Sequence, residues 1–169
     1  MNKAAVLLVA AASAGCGSSS NGFRPAAPAV LRLGWNSSSG GFSVTVRTLT
    51  VRGDGWSVAA RIDNGTAQTL QIGRAHRPYP ETTFGVAEVV GDERSDPPQR
   101  YATSFDPPLP RVLRPGSSWS GVFSGATRLP AGHRFRVVFG MFFARPPLLL
   151  DGRRYFHFNV YSDESVLLR

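Results

Sequence analysis

Few residues in this 169-residue chain have the types and spacing that chemistry needs. The single cysteine, Cys16, lies in Ala12-Ser13-Ala14-Gly15-Cys16-Gly17-Ser18-Ser19-Ser20-Asn21-Gly22, behind an apolar run and ahead of a serine run. One cysteine allows neither an intramolecular disulfide nor a cysteine metal cluster. A serine nucleophile would need the strained G-x-S-x-G elbow. The nearest phrase, Gly116-Ser117-Ser118-Trp119-Ser120-Gly121, has the wrong spacing, so Ser118 and Ser120 read as the polar face of a strand. The histidines His76, His133 and His157 are far apart, and none has a second ligand at metal spacing. Asp92, Glu93 and Asp96 offer hard oxygens for calcium but lack EF-hand spacing, and Arg94 and Arg100 are local charge partners, so a solvated loop is expected. P-loop and dinucleotide fingerprints are absent. No catalytic residue, metal ligand or cofactor is assigned.

Cys16 gains meaning from what precedes it. Lys3 supplies a positive charge, Ala4 to Ala12 an apolar run, and Ser13, Ala14 and Gly15 small residues. That is the layout of a secretory signal, and the run is far shorter than the roughly 20 apolar residues that span a bilayer. Two cuts overlap. Ala12-Ser13-Ala14 is an A-x-A site whose cleavage before Gly15 would release a soluble protein. Ser13-Ala14-Gly15-Cys16 resembles the lipobox of bacterial lipoproteins, with Ser13 where leucine is usual. The resemblance implies that the Cys16 thiol takes a diacylglyceryl group, that the signal is cut before it, and that Cys16 becomes the first residue. A lone free thiol in an oxidising compartment invites intermolecular pairing, which favours the lipidated form. The polar run to Gly22, continued by Phe23 to Pro28, reads as a flexible tether. The expected organisation is a signal over 1–15, a lipid-anchored tether over 16–28 and one domain over 29–169. The expected place is extracytoplasmic and anchored to a cell membrane, with secretion as the alternative.

Hydrophobic residues at 42% and charged residues at 18% suit a globular domain. The net charge is +8, and Lys3 is the sole lysine. There is no dense basic run and no basic helix, so nucleic acid is not expected as a partner. The charge reads as solubility charge spread over loops and outer strand faces, although a positive surface would also favour anionic lipid or polymer at an envelope.

The elements that must position these residues are strands. Phe42 to Val46 alternates with period two, and Trp56, Val58, Ala60 and Ile62 share one face of the next run. Gly53-Asp54-Gly55 between them predicts a hairpin turn. A phase shift between Val46 and Leu49 predicts a bulge or a strand buried on both faces. Further runs cover Thr69–Ile72, Phe84–Val90, Ser118–Ser124, Phe135–Phe143, Tyr155–Tyr161 and Ser165–Leu168. In the Phe135 run, Phe135, Val137, Phe139, Met141 and Phe143 are expected on one face, with Val138 and Phe142 opposite, as in a central strand. No window gives an amphipathic helix. Pro115-Gly116 predicts the centre of a type II turn. The phrase Leu109 to Gly121, taken with Ile62-Asp63-Asn64-Gly65-Thr66, resembles the immunoglobulin-like domains of bacterial surface lipoproteins, over about residues 42–143. The resemblance implies an all-β, immunoglobulin-like antiparallel β-sandwich of about 7–9 strands, and no catalytic signature comes with it.

The loop Ala144 to Arg154 sets Leu148, Leu149 and Leu150 between Arg145 and the pair Arg153 and Arg154. It is a candidate contact with a partner or a membrane surface. The competing expectation is that the leucines fold back over the core before an Asp151-Gly152 turn. Arg74, His76, Arg77 and Tyr79 form a second polar-aromatic loop. Asn36-Ser37-Ser38 and Asn64-Gly65-Thr66 match a glycosylation pattern by chance. The expected function is that of a non-enzymatic, lipid-anchored envelope protein, a binding or accessory module for a protein, peptide or glycan. The alternative is an anchored or secreted enzyme whose site is assembled from distant histidines and acidic residues.

Overall fold

The computed structural model describes residues 23–73, 83–89, 99–162 and 164–169. Among them there is no helix. The strands are β1 (Ala29–Ser39), β2 (Phe42–Val51), β3 (Trp56–Asn64), β4 (Leu70–Ile72), β5 (Gly85–Glu88), β6 (Gln99–Tyr101), β7 (Ser104–Asp106), β8 (Val112–Leu113), β9 (Ser118–Gly125), β10 (Arg134–Leu150), β11 (Arg153–Tyr161) and β12 (Val166–Leu167). One sheet runs β1-β2-β3-β9-β7 and the other β6-β5-β10-β4-β8, with β11 and β12 also on β10. Every strand pairing is antiparallel. The fold is thus an all-β sandwich, as the alternation predicts.

The 12 strands among the described residues exceed the expected number for two reasons. The pieces β6, β7, β8 and β12 are two or three residues long, too short to carry a period. The long β1 does carry one: Leu31 and Leu33 are half-buried and Trp35 is buried, while Val30, Arg32 and Gly34 are exposed. Gly34 and the bulge beside it dilute that signal.

Local expectations hold along β2 and β3. Val51 pairs with Trp56, and the Arg52 N–H donates to the Gly55 carbonyl at 2.8 Å to close the turn. Register shifts between Val46 and Thr48, so Arg47 is the extra residue and both Val46 and Leu49 face the core. In β10 the expected face is corrected. Phe135, Val137 and Phe139 are buried, but register against β11 shifts between Phe139 and Phe142. Beyond that bulge Phe142 and Ala144 take the core side, and Met141 and Phe143 are only half-buried.

The core between the sheets is aromatic. Phe42 of β2 meets Phe142 of β10 edge-on at 4.8 Å, and Phe123 of β9 meets Phe139 at 5.7 Å. Phe84, fully buried, touches the rings of Phe105, Phe123, Phe139 and Phe142. Such pairs add about 0.5–1.5 kcal/mol each beyond the area they bury.

The fold takes up the chain earlier than residue 29. Pro25 bridges Pro130, the Ala26 N–H donates to the Leu129 carbonyl at 2.8 Å, and Ala26 is buried. A Pro/Ala stretch has linker composition, yet alanine is small enough to enter a core beside a paired backbone. At the opposite pole two hairpin turns touch. Ser39 Oγ donates to Asp151 Oδ1 at 2.8 Å, and Gly40 lies against the Leu149 carbonyl.

Candidate functional site

Among the described residues, β7 lies at the margin of one sheet and pairs only with β9, and β8 lies at the margin of the other and pairs only with β4. Residues 107–111 join them. Pro107, Pro108 and Pro110 have no backbone N–H, so this segment cannot continue either ladder. It is pinned instead. Trp119 Nε1 donates to the Pro107 carbonyl at 3.2 Å, and the Ile72 N–H donates to the Arg111 carbonyl at 2.9 Å.

A groove of about 620 Å³ opens along these elements. Ile72, Phe105 and Leu109 give it apolar lining; Gln71, Ser104 and Arg111 bring an amide, a hydroxyl and a guanidinium. That volume and mixture suit a ligand held by apolar contact and oriented by a few hydrogen bonds. None of the described lining residues is His, Cys, Asp or Glu. From the sequence alone none of the six is named as a site residue; Gln71, Ile72, Leu109 and Arg111 enter only as parts of strand and turn phrases. The proline-rich Pro107-Pro108-Leu109-Pro110 was the available signal, because prolines confine a segment to a sheet margin.

His76 lies outside the described residues; of the two described histidines, His133 is brought to a carboxylate. Its Nδ1 is hydrogen-bonded to Glu88 Oε1, and Arg100 Nη2 stands 3.8 Å from Glu88 Oε2. Arg100, expected to serve the acidic loop, therefore faces Glu88, a residue 45 positions before His133 that no local pattern marks. His157 is exposed and tilts against Phe143 at 6.3 Å, on a different strand pair. Among the described residues no group of three His, Cys, Asp or Glu could hold a metal. Ser118 and Ser120 are exposed on β9 on either side of buried Trp119. On β3, Arg61 and Asp63 pair at 2.5 Å; the hydrogen bond with Asp63, and then its charge, hold the guanidinium above its ordinary pKa.

The candidate contact loop is a β-hairpin. Asp151 and Gly152 have φ of 47° and 75°, the type I′ turn that two-residue hairpins favour. Alternation then splits the leucines. Leu148 and Leu150 are buried in the core, and Leu149 is 57% exposed, paired with exposed Arg154. Arg145 and Arg153 are exposed as well. Leu148 and Leu150 are thus corrected from contact residues to core residues. Cys16, the Arg74–Tyr79 loop and the Asp92–Asp96 loop lie outside the described residues. No described helix is long and apolar enough to cross a membrane. Comparison with known proteins found no matching family model, no matching curated protein and no matching solved structure.

Proposed function

We propose that the protein is a non-enzymatic binding module of the bacterial envelope, anchored by lipid on Cys16, whose ligand is an extended peptide seated in the groove beside β7 and β8. The groove carries this reading. Among the described residues, two strands with one neighbour each flank it, and a strand margin offers unpaired backbone groups to an added segment. Ile72, Phe105 and Leu109 would receive alternate side chains, and Gln71, Ser104 and Arg111 would fix register. Hydroxyl, amide and guanidinium groups recognise by hydrogen bonding. They do not supply the matched acid and base of general acid–base catalysis. The lipobox-like Ser13-Ala14-Gly15-Cys16 supports the anchored placement, and the immunoglobulin-like phrase supports an accessory role at a cell surface.

A photoreactive residue at Ser104, expressed in intact cells of the native host, tests the reading. A discrete protein or peptide adduct is expected there, reduced by Arg111→Ala. The same probe at Val30, which is 67% exposed on β1, is the control. Identical adducts from both positions, or none from Ser104, would defeat the assignment of the groove.

A further inference from the structure

The pole where the chain joins the sandwich is built from three segments. The Ala26 N–H donates to the Leu129 carbonyl, the Ala131 N–H to the Arg24 carbonyl, and the Ala27 N–H to the main-chain oxygen of Arg169 at 2.7 Å. The Gly132 N–H donates to the Leu168 carbonyl, and Arg134 pairs with Leu167 in register. Ala26, Leu129 and Leu168 turn into the core. What remains outside has a distinct character. Phe23 is 59% and Leu167 48% exposed, and Arg24, Arg128, Arg134 and Arg169 are all exposed. None of these four arginines forms an ion pair with a described residue. Residues 23–28, 127–135 and 165–169 contain no Asp or Glu. On the packed neighbour β5, Glu88 is already engaged by His133 and faces Arg100; Glu164 borders the last segment.

We propose that this pole is a membrane-docking surface: the arginines bind the anionic headgroups of a phospholipid bilayer, while Phe23 and Leu167 enter the interfacial zone. Charge complementarity is the first argument. The four exposed arginines outnumber the nearby carboxylates, of which Glu88 is engaged by His133, so the pole matches an anionic leaflet, and exposed aromatic and leucine side chains suit its interface. Chain length is the second, and it rests on the Cys16 reading. From Cys16 to Arg24 the backbone reaches at most about 29 Å when fully extended. β1, 11 residues long, separates the two poles by roughly 33 Å. A bilayer holding Cys16 therefore meets the Arg24 pole before the Leu149 hairpin, whose exposed Arg145, Arg153 and Arg154 stand at the far end.

The test uses residues 16–169 carrying Cys16→Ser, so that no acyl chain contributes and the outcome does not depend on lipidation. Binding is measured by sedimentation with phosphatidylcholine vesicles and with vesicles containing about one third phosphatidylglycerol. We expect binding to the anionic vesicles alone, weakened by salt. The triple variant Arg24→Gln, Arg128→Gln, Arg169→Gln should lower it by at least about tenfold. Arg145→Gln, Arg153→Gln, Arg154→Gln removes the same charge from the other pole and should change it less than about threefold. Matched thermal melts show that both variants fold. Equal losses in the two variants, a larger loss in the second, or no preference for anionic vesicles would each overturn the proposal. The Cys16→Ala fractionation described below tests the anchor separately.

Discussion

The side-chain amide of Asn64 donates to the backbone carbonyl of Leu113 at 2.9 Å, joining residues 49 apart in sequence and in different sheets. The same nitrogen donates to the Gln68 carbonyl at 2.8 Å. The amide oxygen accepts from the Thr66 N–H and from Thr66 Oγ1. On the backbone, the Asn64 N–H donates to Ser117, and its carbonyl accepts from Gly116. A residue only 1% exposed thus has its polar groups satisfied. Only an amide offers donors and an acceptor on one short stem, which explains why Asn64-Gly65-Thr66 and Pro115-Gly116 occur together.

Asn64→Ala should therefore destabilise the protein by about 2–4 kcal/mol, because it removes the buried amide that bridges Leu113, Gln68 and Thr66 and takes a donor from the Leu113 carbonyl. Asn64→Asp should cost as much at neutral pH, since a carboxylate would face two carbonyls. Burial would raise that carboxyl's pKa in the folded state, so the penalty is present above that pKa and shrinks as pH falls through it. Urea midpoints at pH 7 and near pH 5 check both statements. An Asn64→Ala midpoint equal to wild type would show the network to be dispensable.

This network also marks where the sequence was legible. The all-β class, the Gly53–Gly55 turn and the Pro115-Gly116 turn follow from period and turn chemistry, and the phase shift between Val46 and Leu49 left a bulge as one of two readings, which the register resolves at Arg47. Gly116 has φ of 72°, and the Ser117 N–H closes the turn on Arg114 at 3.0 Å, as a type II turn requires. The phase change in β10 was not legible, because β10 is apolar on both faces and a one-residue bulge leaves no trace in such a run. The groove was not legible either. Gln71 and Arg111 meet only because β4 and β8 pair across a long connection, and two strands this short have no period of their own.

Two glycines at turns should behave oppositely. At Gly40, φ is +55° and an added Cβ would lie 2.6 Å from the Leu149 carbonyl oxygen of the facing hairpin. Backbone cannot yield as a side-chain tip can, so Gly40→Ala should lose about 2–3 kcal/mol, from strain and from separation of the two turns. At Gly53 nothing lies within 4 Å and φ is not positive. Gly53→Ala should be neutral or stabilising by up to about 1 kcal/mol, through the unfolded chain. Parallel denaturation curves distinguish them, and equal effects would contradict the packing of the turns.

The leucine run offers a sharper contrast within one strand. Leu148 is 4% exposed and Leu149 is 57% exposed. Leu148→Ala should cost about 2–4 kcal/mol through lost burial and the cavity it leaves. Leu149→Ala should change stability by less than about 0.5 kcal/mol. Thermal melts of the two variants report the alternation directly. A reversed order would place β10 one residue out of register at this hairpin.

Cys16 is the position at which one atom separates two fates. With an A-x-A cut, Gly15 begins a soluble protein and the thiol stays free. With the lipobox cut, Cys16 carries acyl chains, and two or more of them give durable anchoring where one does not. Under the proposed function, cells fed labelled palmitate should mark the wild-type protein and leave Cys16→Ala unmarked. The variant should also move from the membrane fraction to the soluble fraction. Residual binding by the Arg24 pole would retain part of it at low salt and release it at high salt, because screening acts on the arginines and not on an acyl anchor. Ser13→Leu, which restores the usual lipobox residue, should speed processing without altering the final product. Equal release of wild type and Cys16→Ala at high salt, with no label in either, would return the protein to simple secretion.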